Sequence, residues 1–197
     1  MTITQFLKDR GFHAFDEGYS QEVPQQVEDL IKLSSGSNIH MMEIGFNAGH
    51  SAEIFLQNNP TLTLTSFDLG AHAYVRTAKE YINLTYPNRH TLYLGDSTVT
   101  IPKYIHDNPK KYFDVIFIDG GHEYKIANAD LDNCMRLANK DTLVIVDDTV
   151  YRKDWEAFYT VGPTKTWVEH VNDGRITEIN RVNYKLGRGM SWGKYVF

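Results

Sequence analysis

The sequence predicts an α/β domain: a doubly wound, mostly parallel sheet with helices on both faces. Three observations predict it. Short apolar runs alternate with helical patterns along most of the chain. The runs at 113–118 (FDVIFI) and 142–147 (TLVIVD) are nearly continuous in Val, Ile and Phe, as strands buried on both faces are. Each predicted strand is followed closely by an acid, so a doubly wound sheet would gather the acids on one rim.

The chain has 197 residues, and a single domain over 1–197 is the expectation. Hydrophobic residues make up 42%, enough for a sizeable core. The net charge of −5 argues against a protein built mainly to hold nucleic acid. Cys134, the single cysteine, excludes an internal disulfide and a cysteine-based zinc site, and reads as a small buried apolar residue. No stretch is long and apolar enough to span a bilayer, and MTITQFLKDRGF has no signal-like apolar core. A cytoplasmic protein with no membrane partner is expected.

In chain order, residues 1–35 are expected to form a helical lid or cap. Within them SQEVPQQVEDLIKL reads as a helix with Ser20 at its N-cap and Val23, Val27, Leu30 and Ile31 turned inward. Phe6, Phe12, Phe15 and Tyr19 precede it, and either fold over a site or pack against a second subunit, so a homodimer is an open expectation. The core, 39–150, holds strands at 39–44, 62–67, 90–94, 113–118 and 142–147. Helices at 50–58, 71–85, 97–107 and 123–138 separate them. In the last of these Ala127, Leu131, Cys134, Met135 and Ala138 share one face. Residues 151–197 carry a helix at 152–171 and strands at 175–182 and 191–197. Trp155, Trp167 and Trp192 read as core or lid residues.

The strand ends carry the chemistry. They deliver Glu43, Asp68, Asp96, Asp119, and Asp147 with Asp148. Acids from five strand ends at one rim would repel one another, so they face hydroxyls, a cation or a positively charged ligand. In MEIGFNAGHSAEIF, Gly45 lets the chain leave the strand in a conformation costly for other residues, and Gly49 lets a helix start close to a ligand. Asn47 and His50 stand where a nicotinamide-binding G-x-G-x-x-G would place glycines. Asp68 follows Gly45 by 68 − 45 = 23 residues, the distance at which an acid accepts bonds from a ribose diol. Asp119 and Asp147 lie 147 − 119 = 28 residues apart, one crossover helix, so adjacent strands bring Asp119, Asp147 and Asp148 together. Three such carboxylates suit a hard cation such as Mg²⁺; the alternative is that Asp119 borders a cofactor and Asp148 caps the next helix.

These stretches resemble the class I S-adenosylmethionine-dependent methyltransferases over about residues 20–150. MEIGFNAGHS is similar to their first motif, particularly in the catechol O-methyltransferase-like branch. SFDLG is similar to the second motif and YLGDS to the adenine-flanking loop. FDVIFIDGGHEY with LVIVDD resembles strands four and five of the macrocin-type O-methyltransferases. The resemblance implies a Rossmann-like seven-stranded sheet with its last strand antiparallel. It implies that Glu43, Gly45, Phe46, Asn47 and Gly49 line the methionine moiety, with Ser51 beside them. Asp68 and Leu69 would hold the ribose and Asp96 and Ser97 the adenine, with Asp119 and His122 completing the cofactor set. A metal on Asp119, Asp147 and Asp148 would chelate substrate oxygens.

The reading is an enzyme that methylates a hydroxyl of a small molecule (a sugar, a catechol-like ring or a natural product), with His122 and Asp119 as catalytic candidates. His122 is a candidate general base and Lys125 a second. His72 is placed to border the cofactor, His50 to pack, and Arg188, between Gly187 and Gly189, to be solvated or to meet an anionic substrate. No nucleic-acid partner is expected, and DGGH stands where base-amine methyltransferases carry their Pro-Pro-aromatic motif. The alternatives are a nicotinamide-dependent oxidoreductase and a catalytically silent cofactor-binding module.

Overall fold

The computed structural model describes residues 1–15, 20–151 and 157–197. Seven strands form one sheet: β1 His40–Ile44, β2 Thr63–Asp68, β3 His90–Leu94, β4 Val115–Ile118, β5 Leu143–Asp147, β6 Ile176–Asn183 and β7 Gly189–Tyr195. Their spatial order is β3-β2-β1-β4-β5-β7-β6. The first five pair in parallel, and β7 runs antiparallel to both of its neighbours. This is the expected doubly wound sheet with a reversed last strand. Its order turns between β1 and β4, which opens a crevice at their carboxyl ends.

Among the described residues seven α-helices accompany the sheet: α1 Ile3–Lys8, α2 Pro24–Leu33, α3 His50–Asn58, α4 Tyr74–Thr85, α5 Ser97–Asp107, α6 Tyr124–Met135 and α7 Phe158–Asn172. They divide between its faces. Leu30, Phe55 and Ile82 from α2, α3 and α4 pack on one face, with Ile3 of α1. Ile101, Leu131 and Trp167 from α5, α6 and α7 pack on the other. β4 is buried at every position, as a strand between two helical layers must be. The edge strand β6 alternates in exposure and carries Glu178 and Arg181, charges that discourage edge-to-edge pairing. Trp167 and Trp192 are core residues; Trp155 and Tyr19 lie outside the described residues.

Two differences from the sequence reading have local causes. Helix α2 begins at Pro24, with Val23 in the N-cap position, and Ser20–Glu22 form a separate 3₁₀ turn. Proline suits a first helical position because its missing N–H is not needed there, and it holds Val23 extended at φ −121°. The second difference is α1, a helix of 6 residues, too short to show a period. It does not line the crevice. Its Ile3 N–H donates to Glu53 Oε1 at 2.9 Å, and Tyr81 Oη donates to the same oxygen at 2.7 Å. Gln21 Nε2 donates to Glu53 Oε2 at 3.2 Å. One buried carboxylate on α3 therefore ties α1, the 3₁₀ turn and α4 together.

Glu53→Ala removes the shared acceptor and leaves buried donors unpaired, a loss of about 3 kcal/mol by urea denaturation, with earlier proteolysis within residues 1–15. A loss under about 1 kcal/mol would mean that Glu53 does not hold α1.

Candidate active site

Gly45 ends β1 with φ +93°, a region glycine enters cheaply. Space forbids anything larger, since an added Cβ would lie 1.8 Å from the Asp119 carbonyl oxygen at the end of β4. The chain then passes through Asn47 at φ +46° and Gly49 at φ +76° into α3. This turn points the Asn47 N–H at Asp68 Oδ2, 2.7 Å away. The Gly70 N–H donates to Asp68 Oδ1 at 2.7 Å. Two backbone donors thus fix the Asp68 carboxylate at the rim, and each oxygen keeps a lone pair for a ligand hydroxyl.

A cavity of about 290 Å³ opens along the strand ends in spatial order. Asp96 and Ser97 contribute from the end of β3, Asp68 and Leu69 from β2, and Gly45 and Asn47 from β1. Asp119 and His122 line it after β4, and Asp148 after β5. His72 lines it too, stacked on Tyr74 at 4.9 Å. Asp96 also caps α5, accepting from the Thr98 N–H at 2.8 Å and the Thr98 hydroxyl at 2.7 Å, bonds that hold its pKa below the usual value.

Four residues expected at the ligand lie behind the wall. Glu43 is fully buried and accepts from Ser51 Oγ and from Ser66 Oγ, the latter at 2.6 Å. Burial raises its pKa to about 7 against those two hydroxyls. Ser66 also meets His90 Nε2 at 2.9 Å, and His90 Nδ1 meets Lys79 Nζ at 2.9 Å. Ser66 has one proton and gives it to Glu43, so His90 donates from Nε2 and accepts the lysine proton at Nδ1. Burial and Lys79 hold the His90 pKa down to about 3. Phe46 stacks on this imidazole at 5.0 Å rather than on a ligand. Gly49 packs against Ile3 and Phe46, and Ser51 faces Glu43. These residues build the loop; they do not line the cavity.

The expected trio of Asp119, Asp147 and Asp148 borders one small void, but Asp147 is engaged on its other side. Asp147 ends β5 on the α2 side, where Gln26 Nε2 donates to both of its oxygens at 2.8 Å. Burial, then Asp119 and Asp148, raise its pKa well above the usual range. Asp148 leaves the strand at φ +55° and turns to the crevice. Among the described residues, the groups that converge are Asp119, His122 and Asp148, whose ligand atoms lie within 4.8 Å of one another. His122 Nε2 is 3.0 Å from Asp148 Oδ2. Among the described residues Asp148 Oδ1 is buried without a partner, beside a void of about 10 Å³ that Asp119, Asp147 and His122 also line. Such a void holds about one water-sized species. Sequence reasoning missed Gln26; its one signal was a polar residue within the otherwise apolar face of Val23, Val27 and Leu30.

Asp130 was missed as well. This α6 residue is fully buried under Gly120, where an added Cβ would lie 3.1 Å from its Oδ2. No donor among the described residues meets its oxygens at hydrogen-bonding geometry. Burial lifts its pKa from 3.8 to about 7, and the Ser97 hydroxyl offsets only part of that. Folded protein then holds a proton that the unfolded chain releases, so this group's contribution to stability falls as pH rises from about 4 to about 7. Asp130→Asn is expected to gain on wild type over that interval by up to about 4 kcal/mol, read as thermal midpoints between pH 4 and 8. A constant difference across that range would contradict the assignment.

Comparisons with known proteins add to this geometry. A family described as a methyltransferase domain matches residues 42–149. A tRNA (guanine-N(7)-)-methyltransferase of Helicobacter acinonychis (strain Sheeba) is 27% identical over 135 residues, 66% of this chain. The match takes in 33% of that protein, so the chain spans about a third of its length. The O-methyltransferase of Bacillus cereus solved in complex with SAH superposes with a TM-score of 0.74 at 16% identity, covering 98% of this chain and 88% of that one. TomG of Streptomyces achromogenes, an O-methyltransferase involved in tomaymycin synthesis and solved with SAM, gives 0.73 at 15% identity, covering 99% and 88%. At such identities the likeness establishes the fold.

Proposed function

The chain belongs to the methyltransferase-domain family matched over residues 42–149, and on that premise we propose that it transfers a methyl group from S-adenosylmethionine to a hydroxyl of a small molecule. One observation carries the reading: a single cavity is lined by fixed acids at β2 and β3 and by the His122–Asp148 pair at β4 and β5. The acids suit an adenosine, with Asp68 accepting from the ribose hydroxyls and Asp96 with Ser97 beside the base. Asp119, whose charge favours a cation, would face the sulfonium, and His122 would face the methyl group.

His122 is held by Asp148 at 3.0 Å, so an acceptor hydroxyl meeting its imidazole would lose its proton there as the oxygen attacks the methyl carbon in line. The cavity wall contributes positioning and the exclusion of water. The converging Asp119, His122 and Asp148, with the orphaned Asp148 oxygen, also fit a divalent cation. When bound, such an ion would favour the deprotonated acceptor. The two carboxylates suit Mg²⁺ or Mn²⁺, and the imidazole suits Zn²⁺ or Fe²⁺.

The comparison protein named for tRNA guanine suggests a nucleic-acid acceptor instead. The net charge of −5 and the acids along the rim disfavour a polyanion, which supports the small-molecule reading. The same reading makes it a protein of the cytoplasm.

Calorimetric titration with S-adenosylhomocysteine (SAH) tests the reading. About micromolar binding is expected, weakened more than about tenfold in Asp68→Ala. His122→Gln is expected to lower kcat by a factor of about 100 or more while leaving SAH affinity intact. A separate saturable heat with Mg²⁺ or Mn²⁺, lost in Asp148→Ala, would establish the metal. No SAH binding under any condition would overturn the proposal.

A further inference from the structure

We infer that Arg188 reads an anionic group on the methyl acceptor, so that the acceptor is a hydroxylated molecule bearing a carboxylate or phosphate beside the reacting hydroxyl. The inference rests on the methyltransferase reading and names the substrate class for that site.

Arg188 lines the same cavity as His122 and Asp148. It stands in the turn that joins β6 to β7, and that turn is clamped on both sides. The Tyr184 N–H donates to the Arg188 carbonyl at 2.7 Å. The Thr149 N–H donates to the Gly189 carbonyl at 3.1 Å, and an added Cβ on Gly189 would lie 2.1 Å from the Thr149 oxygen. Antiparallel pairing sets Asp147 opposite Met190. The register of β5 with β7 therefore holds the arginine backbone beside the segment that presents Asp148, and its placement is a property of the sheet.

The guanidinium is partly desolvated and under-used. Its side chain is 14% exposed. Among the described residues it bonds only Glu22, through one long contact of 3.4 Å from a nitrogen to Glu22 Oε2. Guanidinium offers five N–H donors in a planar fork. One of these nitrogens meets Glu22, and a planar anion would engage others of the fork. The acids nearby do not fill that role. Asp147 feels the Arg188 charge but is hydrogen-bonded by Gln26 on both oxygens, and Asp148 Oδ2 is taken by His122.

The surroundings suit a ring or chain that carries such an anion. Tyr159 lies 5.6 Å from the His122 ring and feels the charges of both Asp148 and Arg188. Phe158 packs edge-on to Tyr159 at 5.9 Å and is 89% exposed, an aromatic surface with little reason to face water unless something covers it. Leu186, two residues before Arg188, is also exposed. Base and cation thus line one cavity, and Tyr159 packs beside the base. Apart from His72 and His122, Arg188 is the only residue of basic type among the described residues that line the cavity.

The test uses acceptor pairs that differ in charge: 3,4-dihydroxybenzoate against catechol, and glucose 6-phosphate against glucose. SAH release is followed for wild type, Arg188→Gln and Arg188→Lys, and SAH affinity is measured on the same proteins. For one pair at least, wild type is expected to favour the anionic member by about tenfold or more in kcat/KM. Arg188→Gln should bring that ratio near one through KM while SAH affinity stays within about twofold, and Arg188→Lys should keep part of the preference. If SAH binds wild type and no anionic member outruns its neutral partner, the inference is wrong. If Arg188→Gln instead loosens SAH as much as the acceptor, the arginine serves the cofactor carboxylate and the inference is equally wrong. Failure of SAH to bind wild type would remove the methyltransferase reading and this inference with it.

Discussion

The Asp119 carbonyl occupies the space where any side chain on Gly45 would begin. Everything at the rim depends on that approach of β1 to β4. It brings two adjacent strand ends together at the point where the sheet order turns, and it forces the chain into a left-handed exit from β1. That exit sends the Asn47 N–H to Asp68 on the next strand. One backbone constraint thereby fixes the Gly45 loop, the Asp68 carboxylate and the start of the Asp119–His122 segment relative to one another. A site assembled this way is set before a ligand arrives, so little of the binding free energy is spent on ordering it.

Beneath the loop, the same strand carries a carboxylate that never reaches the cavity. Glu43 is held by two serine hydroxyls, and a line of hydrogen bonds runs from Ser66 through His90 to Lys79. The lysine is the distant countercharge, passed inward by an imidazole of fixed tautomer. The arrangement explains why an acid precedes the glycine turn without contacting a ligand. It braces β1, β2 and β3 at the level where Asn47 and Asp68 must meet. Asp147 repeats the pattern on the other side, where Gln26 holds it and leaves Asp148 to face the crevice. On each side a buried acid stands behind one that lines the cavity.

Much of this was legible in the sequence, and the failures share one cause. The helix at 50–58 and the strand at 90–94 were read with their observed limits, because periodicity and the flanking glycines mark them without tertiary help. The fold class followed from the alternation of elements and from the double burial of 113–118 and 142–147. Asp68, Asp96, Asp119 and Asp148 were located because strand ends are a topological feature. Which way a side chain turns at such an end is a different matter. Asp147 and Asp148 are neighbours of the same type, and only the positive φ of Asp148 and the position of Gln26 on α2 send them to opposite sides. Glu43 has the same difficulty, since its partners Ser51 and Ser66 lie 8 and 23 residues away. The short α1 is held by a long-range bond to Glu53 rather than by its own pattern.

The measurement that bears most directly on the central claim is a crystal structure of the protein with SAH. The account predicts the ribose diol on Asp68, the adenine beside Asp96 and Ser97, and the sulfur directed toward His122 and Asp148. Nucleoside density elsewhere, or a ligand whose sulfur points away from the His122–Asp148 pair, would contradict it.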